Sequence, residues 1–380
     1  MCRIKVSKED VYAVYVRSGL RMDIKATPYS NLKIFHHAEL LGAVRDGKRV
    51  APVYIRIKPT NICNENCYYC HYKNAYLNLD DYHPHDYIPR EKMLEIIEDM
   101  CVMGVKAVTF SGGGEPLVYP YIKEAMEKIL AAGIDLSMIT NGVLLEGEAA
   151  EMLARAKWVR MSIDSADGDM YAQIRGVKPE NFTRLCDNIA AFAKIKQANC
   201  ELGVNFVVTK DNHEQVYAMA KLMQSLGVNH IKYAALQSNA TEKYHAPFKD
   251  QVMADIARAR ELENEHFRII DLYTSDWERV SRGIQIFDRA YEKCYIKELV
   301  CVIAANQKVY YCHDKAYLNN GLVGDLHERR FKDVWFSEEV TEKFRNFNAH
   351  QICREHCVYD DRNILLNQFF TMDKNHVNFL

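Results

Sequence analysis

The chain has 380 residues, 48% of them hydrophobic, and a formal net charge of −2. This length exceeds the size at which one core usually stops growing, so we expect one large domain with an appendage. No block of Lys or Arg suggests nucleic-acid binding, and no signal peptide or apolar run of roughly 18 residues suggests a membrane. We therefore expect a soluble, cytoplasmic protein whose twelve cysteines serve as metal ligands or buried thiols.

Short β-rich runs alternate with helical patterns from about residue 53 to 236, which is typical of parallel βα units. The predicted strands are Val53–Ile57, Ala107–Ser111, Asp135–Thr140, Trp158–Ile163, Leu202–Val208 and His230–Ala235. Three of the predicted helices end at glycines, which suit the left-handed position after a helix. Six units instead of eight predict an α/β fold with a partial (β/α)6 TIM-like barrel.

Four segments follow from this reading of the chain. They are an N-terminal extension (1–50), the partial barrel (51–245), a connecting helical segment (246–293) and a small α+β domain (294–380). The last contains a predicted hairpin of residues 300–303 and 308–311.

The barrel strands alternate polar and apolar side chains. On the first strand Arg56 and Lys58 lie opposite Ile55 and Ile57, and on the fourth Arg160, Ser162 and Asp164 lie opposite Val159, Met161 and Ile163. An ordinary closed barrel has an apolar interior. A polar lumen is predicted here, which suits a charged cofactor and a polar substrate.

Three cysteines with CxxxCxxC spacing, Cys63, Cys67 and Cys70, follow the first strand, and Tyr69 precedes the third of them. Three thiolates leave one iron of a four-iron cluster open to another ligand. Such spacing also suits zinc. A structural zinc would need a nearby second pair of ligands, however, and His71 is too close to Cys70 to serve.

This loop resembles the cluster loop of the radical S-adenosylmethionine (SAM) enzymes. The resemblance implies that Cys63, Cys67 and Cys70 hold a 4Fe-4S cluster whose open iron chelates SAM, with Tyr69 beside the cofactor. It also implies reductive cleavage of SAM to a 5'-deoxyadenosyl radical, with electrons from a donor such as flavodoxin or ferredoxin.

A glycine-rich segment follows the second strand and resembles the GGE loop of the same family. Gly112, Gly113 and Gly114 let the backbone approach a ligand closely, and Glu115 supplies a carboxylate for the SAM ammonium group. A dinucleotide-binding GxGxxG fingerprint is not matched, because Pro116 and Leu117 stand where its spacing and third glycine should be.

Four further positions resemble SAM-binding positions of the family. Ser162 and Asp164 match the ribose-binding pair, although a polar strand end is the alternative. Asn141 matches a position near SAM, although Asn-Gly is also a common turn. Arg175 is a fork-shaped donor suited to the SAM carboxylate, or an exposed loop arginine.

Five cysteines lie in the last quarter of the chain: Cys294, Cys301, Cys312, Cys353 and Cys357. This region resembles the twitch domain, the shortened SPASM extension that holds one auxiliary 4Fe-4S cluster. The resemblance assigns Cys294, Cys312, Cys353 and Cys357 as ligands, with Cys301 as an alternative to Cys294 or Cys353. A zinc site built from the same four residues is the other interpretation.

The favoured function is abstraction of a hydrogen atom from a small polar substrate such as a sugar, nucleotide sugar or aminocyclitol. Dehydrogenation would pass an electron to the auxiliary cluster, whereas epimerisation would need a hydrogen donor such as the Cys301 thiol. The alternative is a maturase acting on a ribosomally made peptide, but the 50 residues before the barrel are fewer than the leader-recognition module of many maturases. A non-catalytic zinc protein that binds a partner is the third hypothesis.

Overall fold

The computed structural model describes residues 30–73, 79–238, 240–275, 277, 289–354, 357–373, 375 and 377–378. Residues 1–29 of the predicted N-terminal extension and residues 276 and 278–288 of the predicted connection lie outside this range. The chain divides after Gly42 into two compact units, and the candidate site lies wholly in the second. Within the described part, no helix combines the length and apolar character needed to cross a membrane.

Parallel strands alternate with helices as the sequence predicts. The strands are β1 (Tyr54–Ile57), β2 (Ala107–Phe110), β3 (Asp135–Thr140), β4 (Trp158–Ser162), β5 (Glu201–Val208), β6 (His230–Ala235) and β7 (Arg268–Asp271), followed by β8 (Val300–Ile303), β9 (Lys308–Tyr310) and β10 (Leu322–Asp325). The α-helices up to β7 are α1 (Ala38–Arg45), α2 (Arg90–Met103), α3 (Ile122–Ala131), α4 (Gly147–Leu153), α5 (Gly168–Arg175), α6 (Glu180–Ile195), α7 (Val216–Ser225), α8 (Thr241–His245) and α9 (Lys249–Ala259). The later α-helices are α10 (Leu272–Ser275), α11 (Phe331–Trp335), α12 (Glu338–Asn346), α13 (Ala349–Ile352) and α14 (Asp360–Thr371).

The glycines predicted to end helices adopt the left-handed conformation. Gly104, after α2, has φ 74°, and its amide donates to the carbonyls of the last helical turn. Gly133 and Gly227, after α3 and α7, have φ 69° and 80°. These values agree with the predicted helix ends and confirm the βα reading of the barrel.

Two strands, β7 and β10, were not predicted. β7 lies in residues 246–293, which we expected to be a helical connection, and it pairs in parallel with β6. It has only four residues and shows no clear alternation of polar and apolar side chains, so it carries little strand signal. The barrel sheet therefore has seven parallel strands of its own.

The C-terminal strands continue the barrel sheet. The ten strands of the described residues form one sheet in the order β10-β9-β8-β1-β2-β3-β4-β5-β6-β7. β8 pairs in parallel with β1, with Tyr54 beside Val300 and Ile57 beside Ile303, and the predicted hairpin of β8 and β9 is present. This pairing fixes the C-terminal domain in register with the strand that leads into the CxxxCxxC loop.

Side chains alternate along the strands between a face that is buried in the core and a face that lines the barrel lumen. Ile55 and Ile57 on β1 and Val159 and Met161 on β4 are fully buried in the core. The residues between them on the other face, such as Arg56, keep part of their surface accessible. The lumen is therefore polar and contains accessible space, as the sequence predicts.

Trp335 of α11 attaches the C-terminal domain to the start of the barrel. Its ring is fully buried, and its Nε1 donates to the Val50 carbonyl at 2.8 Å. The Arg49 guanidinium stacks 4.6 Å from the Trp335 ring and pairs with Glu298 at 2.5 Å. Through these contacts, the boundary between the C-terminal domain and the barrel is packed as part of the core.

We expect Trp335→Ala to lower the free energy of unfolding by about 3–5 kcal/mol, because a large buried ring is removed. Denaturant unfolding of the purified protein measures this loss. The matched control is Phe336→Ala, because Phe336 is 47% exposed and should change stability by less than about 0.5 kcal/mol. Equal losses in the two variants would contradict this packing.

Candidate active site

Three predicted cofactor residues and Lys58 lie at the carboxyl ends of the parallel strands, where α/β barrels place their active sites. Lys58 follows β1, Glu115 follows β2, Asn141 follows β3 and Asp164 follows β4. All four side chains belong to residues that are at least 95% buried.

The CxxxCxxC loop rests on the end of α5. The Asn66 amide donates to the Arg175 carbonyl at 2.8 Å, and the Tyr68 amide donates to the Ile174 carbonyl at 3.3 Å. Cys63 is exposed, whereas Cys67 and Cys70 are half-buried. The three thiols therefore lie on a loop held by backbone bonds, with part of their surface open to a cluster.

The glycine loop packs directly against the cysteine loop. The Gly114 amide donates to the Thr60 carbonyl at 2.8 Å, and the Glu115 amide donates to the Ile62 carbonyl at 2.9 Å. A Cβ atom on Gly113 would overlap the Asn61 side chain, and one on Gly114 would overlap the Ile62 carbonyl. The glycines are therefore needed for contact between the loops as well as for the approach of a ligand.

Glu115 is a buried carboxylate with three protein donors. Its oxygens accept from Thr140 Oγ1 at 2.6 Å, the Asn141 amide at 2.7 Å and the Leu117 amide at 3.0 Å. Burial nevertheless raises the pKa of Glu115 to about 7. A carboxylate accepts roughly four hydrogen bonds, so capacity for one ammonium donor remains.

Asn141 connects the end of β3 to the cysteine loop. Its Nδ2 donates to Asn64 Oδ1 at 2.7 Å, and its Oδ1 accepts from the Val143 amide at 3.1 Å. The side chain thus contributes to a turn and also contacts the residue that follows Cys63.

Arg175 does not take the position expected for a donor to the SAM carboxylate. It is 4% exposed, and its Nη1 pairs with Glu65 at 3.1 Å while its Nη2 pairs with Asp164. Nη1 also lies 3.4 Å from Cys67 Sγ. Both Nη groups of Arg175 are thus paired with buried carboxylates, and in this structure Arg175 holds the cysteine loop in place.

Asp164 is also engaged within the protein. One of its oxygens accepts from Tyr69 as well as from Arg175, and the other accepts from the Val207 amide at 2.7 Å. The adjacent Tyr171 hydroxyl donates to Glu65. Ribose binding by Ser162 and Asp164 stays a prediction, and it would require Asp164 to share or exchange these partners.

Four C-terminal cysteines line one largely enclosed cavity. They are Cys294, Cys312, Cys353 and Cys357. The Sγ of Cys294 accepts from Asn363 Nδ2 at 3.3 Å, and that of Cys357 accepts from the Tyr359 amide at 3.4 Å. Thiolate sulfurs of iron-sulfur clusters receive such bonds, so this donor set fits an auxiliary cluster.

Neither cysteine set is drawn together around a single ion. Across the described ranges, no three His, Cys, Asp or Glu side chains are grouped as ligands of one metal ion.

Cys301 lies away from both cysteine sets. It is 1% exposed on β8 beside Ile55, on the covered face of the sheet. Its neighbour Val302 belongs to the opposite face, and burial raises the pKa of the Cys301 thiol. This position differs from that expected of a ligand or a hydrogen donor in the lumen, so we no longer assign Cys301 either role.

Two histidines, each next to a cysteine of one set, contact each other in the structure. The sequence analysis did not predict this contact. His71 follows Cys70 and His313 follows Cys312, and their rings stack with centroids 6.4 Å apart and planes 19° apart. Burial lowers the pKa of His313 well below its usual range, and the charges of Arg56, Lys58 and Arg160 lower it further. The shared pattern of Cys followed by His was the only signal in the sequence.

Lys58, which strand alternation places on the polar face, was not predicted to contact the glycine loop. It is fully buried, donates to the Gly112 carbonyl at 3.2 Å and to the Tyr72 hydroxyl, and lies 4.3 Å from the centre of the Tyr72 ring. From the C-terminal domain, the Tyr317 hydroxyl donates to Asn61 Oδ1 at 2.5 Å. The glycine loop is therefore contacted from both domains.

Two family models match the chain over the regions that hold the cysteines. The Radical SAM superfamily matches residues 57–223, and SPASM, an iron-sulfur cluster-binding domain, matches residues 294–358. Among curated proteins, a probable GTP 3',8-cyclase of Saccharolobus islandicus is 27% identical over 56% of this chain and 68% of its own. An AdoMet-dependent heme synthase of Methanosarcina barkeri is 25% identical over 78% of this chain and 85% of its own.

Solved structures share the fold over most of the chain. Streptococcus suis SuiB bound to S-adenosylmethionine superposes with a TM-score of 0.60 at 19% identity, covering 92% of this chain and 83% of its own. Native anSMEcpe with bound AdoMet superposes with a TM-score of 0.56 at 18% identity, covering 81% of this chain and 87% of its own. These likenesses confirm the partial barrel with its C-terminal SPASM-type region.

We expect Arg175→Gln to release the cysteine loop, because two buried carboxylates lose their cation, a loss of about 3–5 kcal/mol. Iron analysis after anaerobic reconstitution should show that the cluster of the CxxxCxxC loop is lost or depleted. The control is Arg184→Gln, whose side chain is 48% exposed and which should keep its iron. Full iron content in Arg175→Gln would contradict the anchoring role.

We expect Cys301→Ala to retain about eight irons per chain, two four-iron clusters, because its thiol lies on the covered face. Cys312→Ala should lose about four of them, since it removes a residue that lines the cavity. Iron content and visible absorption measure both. Loss of four irons in Cys301→Ala would show that Cys301 is a ligand after all.

Proposed function

The chain is a radical SAM enzyme with a C-terminal SPASM iron-sulfur domain, and from this we propose that it abstracts a hydrogen atom from a small polar substrate held in the barrel lumen. Its cofactors are SAM and 4Fe-4S clusters. We propose Cys63, Cys67 and Cys70 as ligands of the SAM-binding cluster, and Cys294, Cys312, Cys353 and Cys357 as ligands of one auxiliary cluster.

The observation that carries the proposal is the pair of stacked histidines between the cysteine sets. Because His71 and His313 each adjoin a cysteine and their rings are 6.4 Å apart, we infer that both cysteine sets border the same space. When bound there, SAM supplies a 5'-deoxyadenosyl radical on reduction by a donor such as flavodoxin or ferredoxin, and an auxiliary cluster supplies an electron acceptor.

This chain's own residues would position the cofactor and exclude water from it. In the proposal Gly112, Gly113 and Gly114 contact the methionine end of SAM, and Glu115 accepts from its ammonium group. Tyr69 and Asn141 hold the loops around the cofactor, and Ser162 with Asp164 bind the ribose. With Cys301 outside the lumen, oxidation of the substrate has more support than epimerisation through that thiol.

A small substrate has better support than a peptide. The two curated relatives are named for small molecules, GTP and heme. The peptide alternative is supported by SuiB, whose structure has been solved with its precursor peptide SuiA. At 18% identity, that likeness is evidence for a shared fold only.

SAM cleavage by the reconstituted, reduced enzyme tests the proposed function. We expect 5'-deoxyadenosine on chromatography, and none from a variant with Cys63, Cys67 and Cys70 all changed to Ala, which should still hold the auxiliary cluster. Undiminished cleavage by the triple variant would refute the ligand assignment. A colourless, iron-free wild-type protein that binds zinc would refute the enzyme proposal itself.

We expect SAM affinity to fall with pH below 7. The pKa of Glu115 is raised from 4.5 to about 7, so the carboxyl group takes up a proton as the pH falls through 7 and ceases to attract an ammonium group. One linked proton weakens binding by up to about tenfold per pH unit. Calorimetry between pH 7.5 and 5.5 measures this.

The Glu115→Gln variant provides the control for this pH dependence. It cannot titrate, so its SAM affinity should be weaker than wild type at pH 7.5 and nearly constant over the same range. A wild-type affinity that does not change between pH 7.5 and 5.5 would remove Glu115 from the ammonium site.

A further inference from the structure

The helix α14 packs on the segment that carries Cys294. The SPASM match ends at residue 358, whereas α14 begins at Asp360. In its first turn, Asp360 accepts from the Tyr291 hydroxyl at 2.8 Å. Two turns later, Asn367 Nδ2 donates to the Lys293 carbonyl at 3.0 Å. This helix, outside the matched region, is therefore tied to the residues on both sides of Cys294.

Asn363, between these two contacts, faces the cavity of the four C-terminal cysteines. It lines that cavity and has no exposed surface. Its Nδ2 donates to Cys294 Sγ at 3.3 Å, and its Oδ1 accepts from the Ile296 amide at 3.0 Å. A backbone amide can only donate, so the atom facing Ile296 must be the oxygen. The orientation of the side-chain amide is therefore fixed, and its NH2 group points at the sulfur.

A donor in this position affects the two redox states of a cluster differently. Reduction adds negative charge to a cluster, and its thiolate sulfurs share that charge. A hydrogen bond to such a sulfur therefore stabilises the reduced state more than the oxidised state, and bonds of this kind help to set cluster potentials. The effect is stronger in a buried site, because the low local dielectric strengthens the bond.

Other groups at the cavity leave the contribution of Asn363 separable. The Tyr359 amide donates to Cys357 Sγ at 3.4 Å, and this backbone bond remains in any side-chain variant. The buried Lys297 also lines the cavity, but it pairs with Glu298 at 2.5 Å. Neither group takes its partner from Asn363, so a substitution there removes one donor to sulfur and leaves these contacts in place.

We propose that Asn363, through its hydrogen bond to Cys294, makes the reduction potential of the auxiliary cluster more positive. The inference rests on the proposed function, in which that cluster accepts an electron, and it adds a residue that lies beyond the matched SPASM region. A more positive potential favours the reduced cluster, so Asn363 would make the cluster a better electron acceptor.

A redox titration of the reconstituted enzyme with SAM, followed by electron paramagnetic resonance, tests the inference. The auxiliary cluster is recognised as the one whose signal SAM leaves unchanged. One hydrogen bond is worth about a tenfold change in an equilibrium. We therefore expect Asn363→Ala to lower the reduced-to-oxidised ratio at a fixed potential about tenfold, which moves the midpoint about 59 mV in the negative direction for a one-electron couple.

A spectroscopic readout identifies the bond itself. Protein labelled with 15N in the side-chain amide of asparagine should show a 15N coupling to the reduced auxiliary cluster in pulsed electron paramagnetic resonance. The coupling should be absent from Asn363→Ala and from Asn363→Asp. The Asp variant keeps an oxygen to accept from the Ile296 amide, so it provides the test if Asn363→Ala loses iron.

The matched control is Asn367→Ala, which changes the same residue type one turn further along α14. Its Nδ2 bonds to carbonyl oxygens and not to sulfur. We expect its midpoint and its 15N coupling to equal those of wild type. A midpoint shift as large as that of Asn363→Ala would mean that loosening α14 is sufficient, and it would overturn the inference.

Three further outcomes would also overturn it. The midpoint is the same in Asn363→Ala and wild type, or wild type shows no 15N coupling, or both Asn363 variants lose the iron of the auxiliary cluster. The last would make Asn363 a structural residue. Failure of the proposed function is distinguishable, because it appears in the wild-type enzyme as the absence of any cluster signal that SAM leaves unchanged.

Discussion

A buried arginine with two carboxylates fixes the geometry of the site. Arg175 joins Glu65 of the CxxxCxxC loop to Asp164 after β4, and all three residues are at least 95% buried. Removing one member of such a network leaves the remaining buried charges without a partner. This costs far more folding free energy than the loss of a surface ion pair. The loop therefore has one well-defined position relative to the barrel, and the glycine loop packs onto it.

The continuous sheet provides a second constraint. Because β8 pairs with β1, the C-terminal cysteines are positioned by the strand that leads into the CxxxCxxC loop. Tyr317 has a left-handed φ of 65°, unusual for a residue other than glycine, and its hydroxyl contacts Asn61 at the glycine loop. The two domains thus form one site, and a change in either can alter the chamber between them.

Much of this was predictable from the sequence, because strand alternation and glycine-terminated helices are local signals. The CxxxCxxC spacing and the glycine loop are also local signals, and both lie in the region that the Radical SAM family model matches. The role of Arg175 was not predictable, since its partners Glu65 and Asp164 are assembled only by the fold. Likewise the sequence does not show that Cys301 faces away from the lumen, because that depends on the pairing of β8 with β1.

In the function proposed here, the chain holds two four-iron clusters of different kinds, one with three cysteine ligands and one with four. Electron paramagnetic resonance of the reduced, reconstituted enzyme, with and without SAM, tests this most directly. We expect two cluster signals, of which SAM shifts one and leaves the other unchanged. A single cluster signal, or two signals that both ignore SAM, would contradict it.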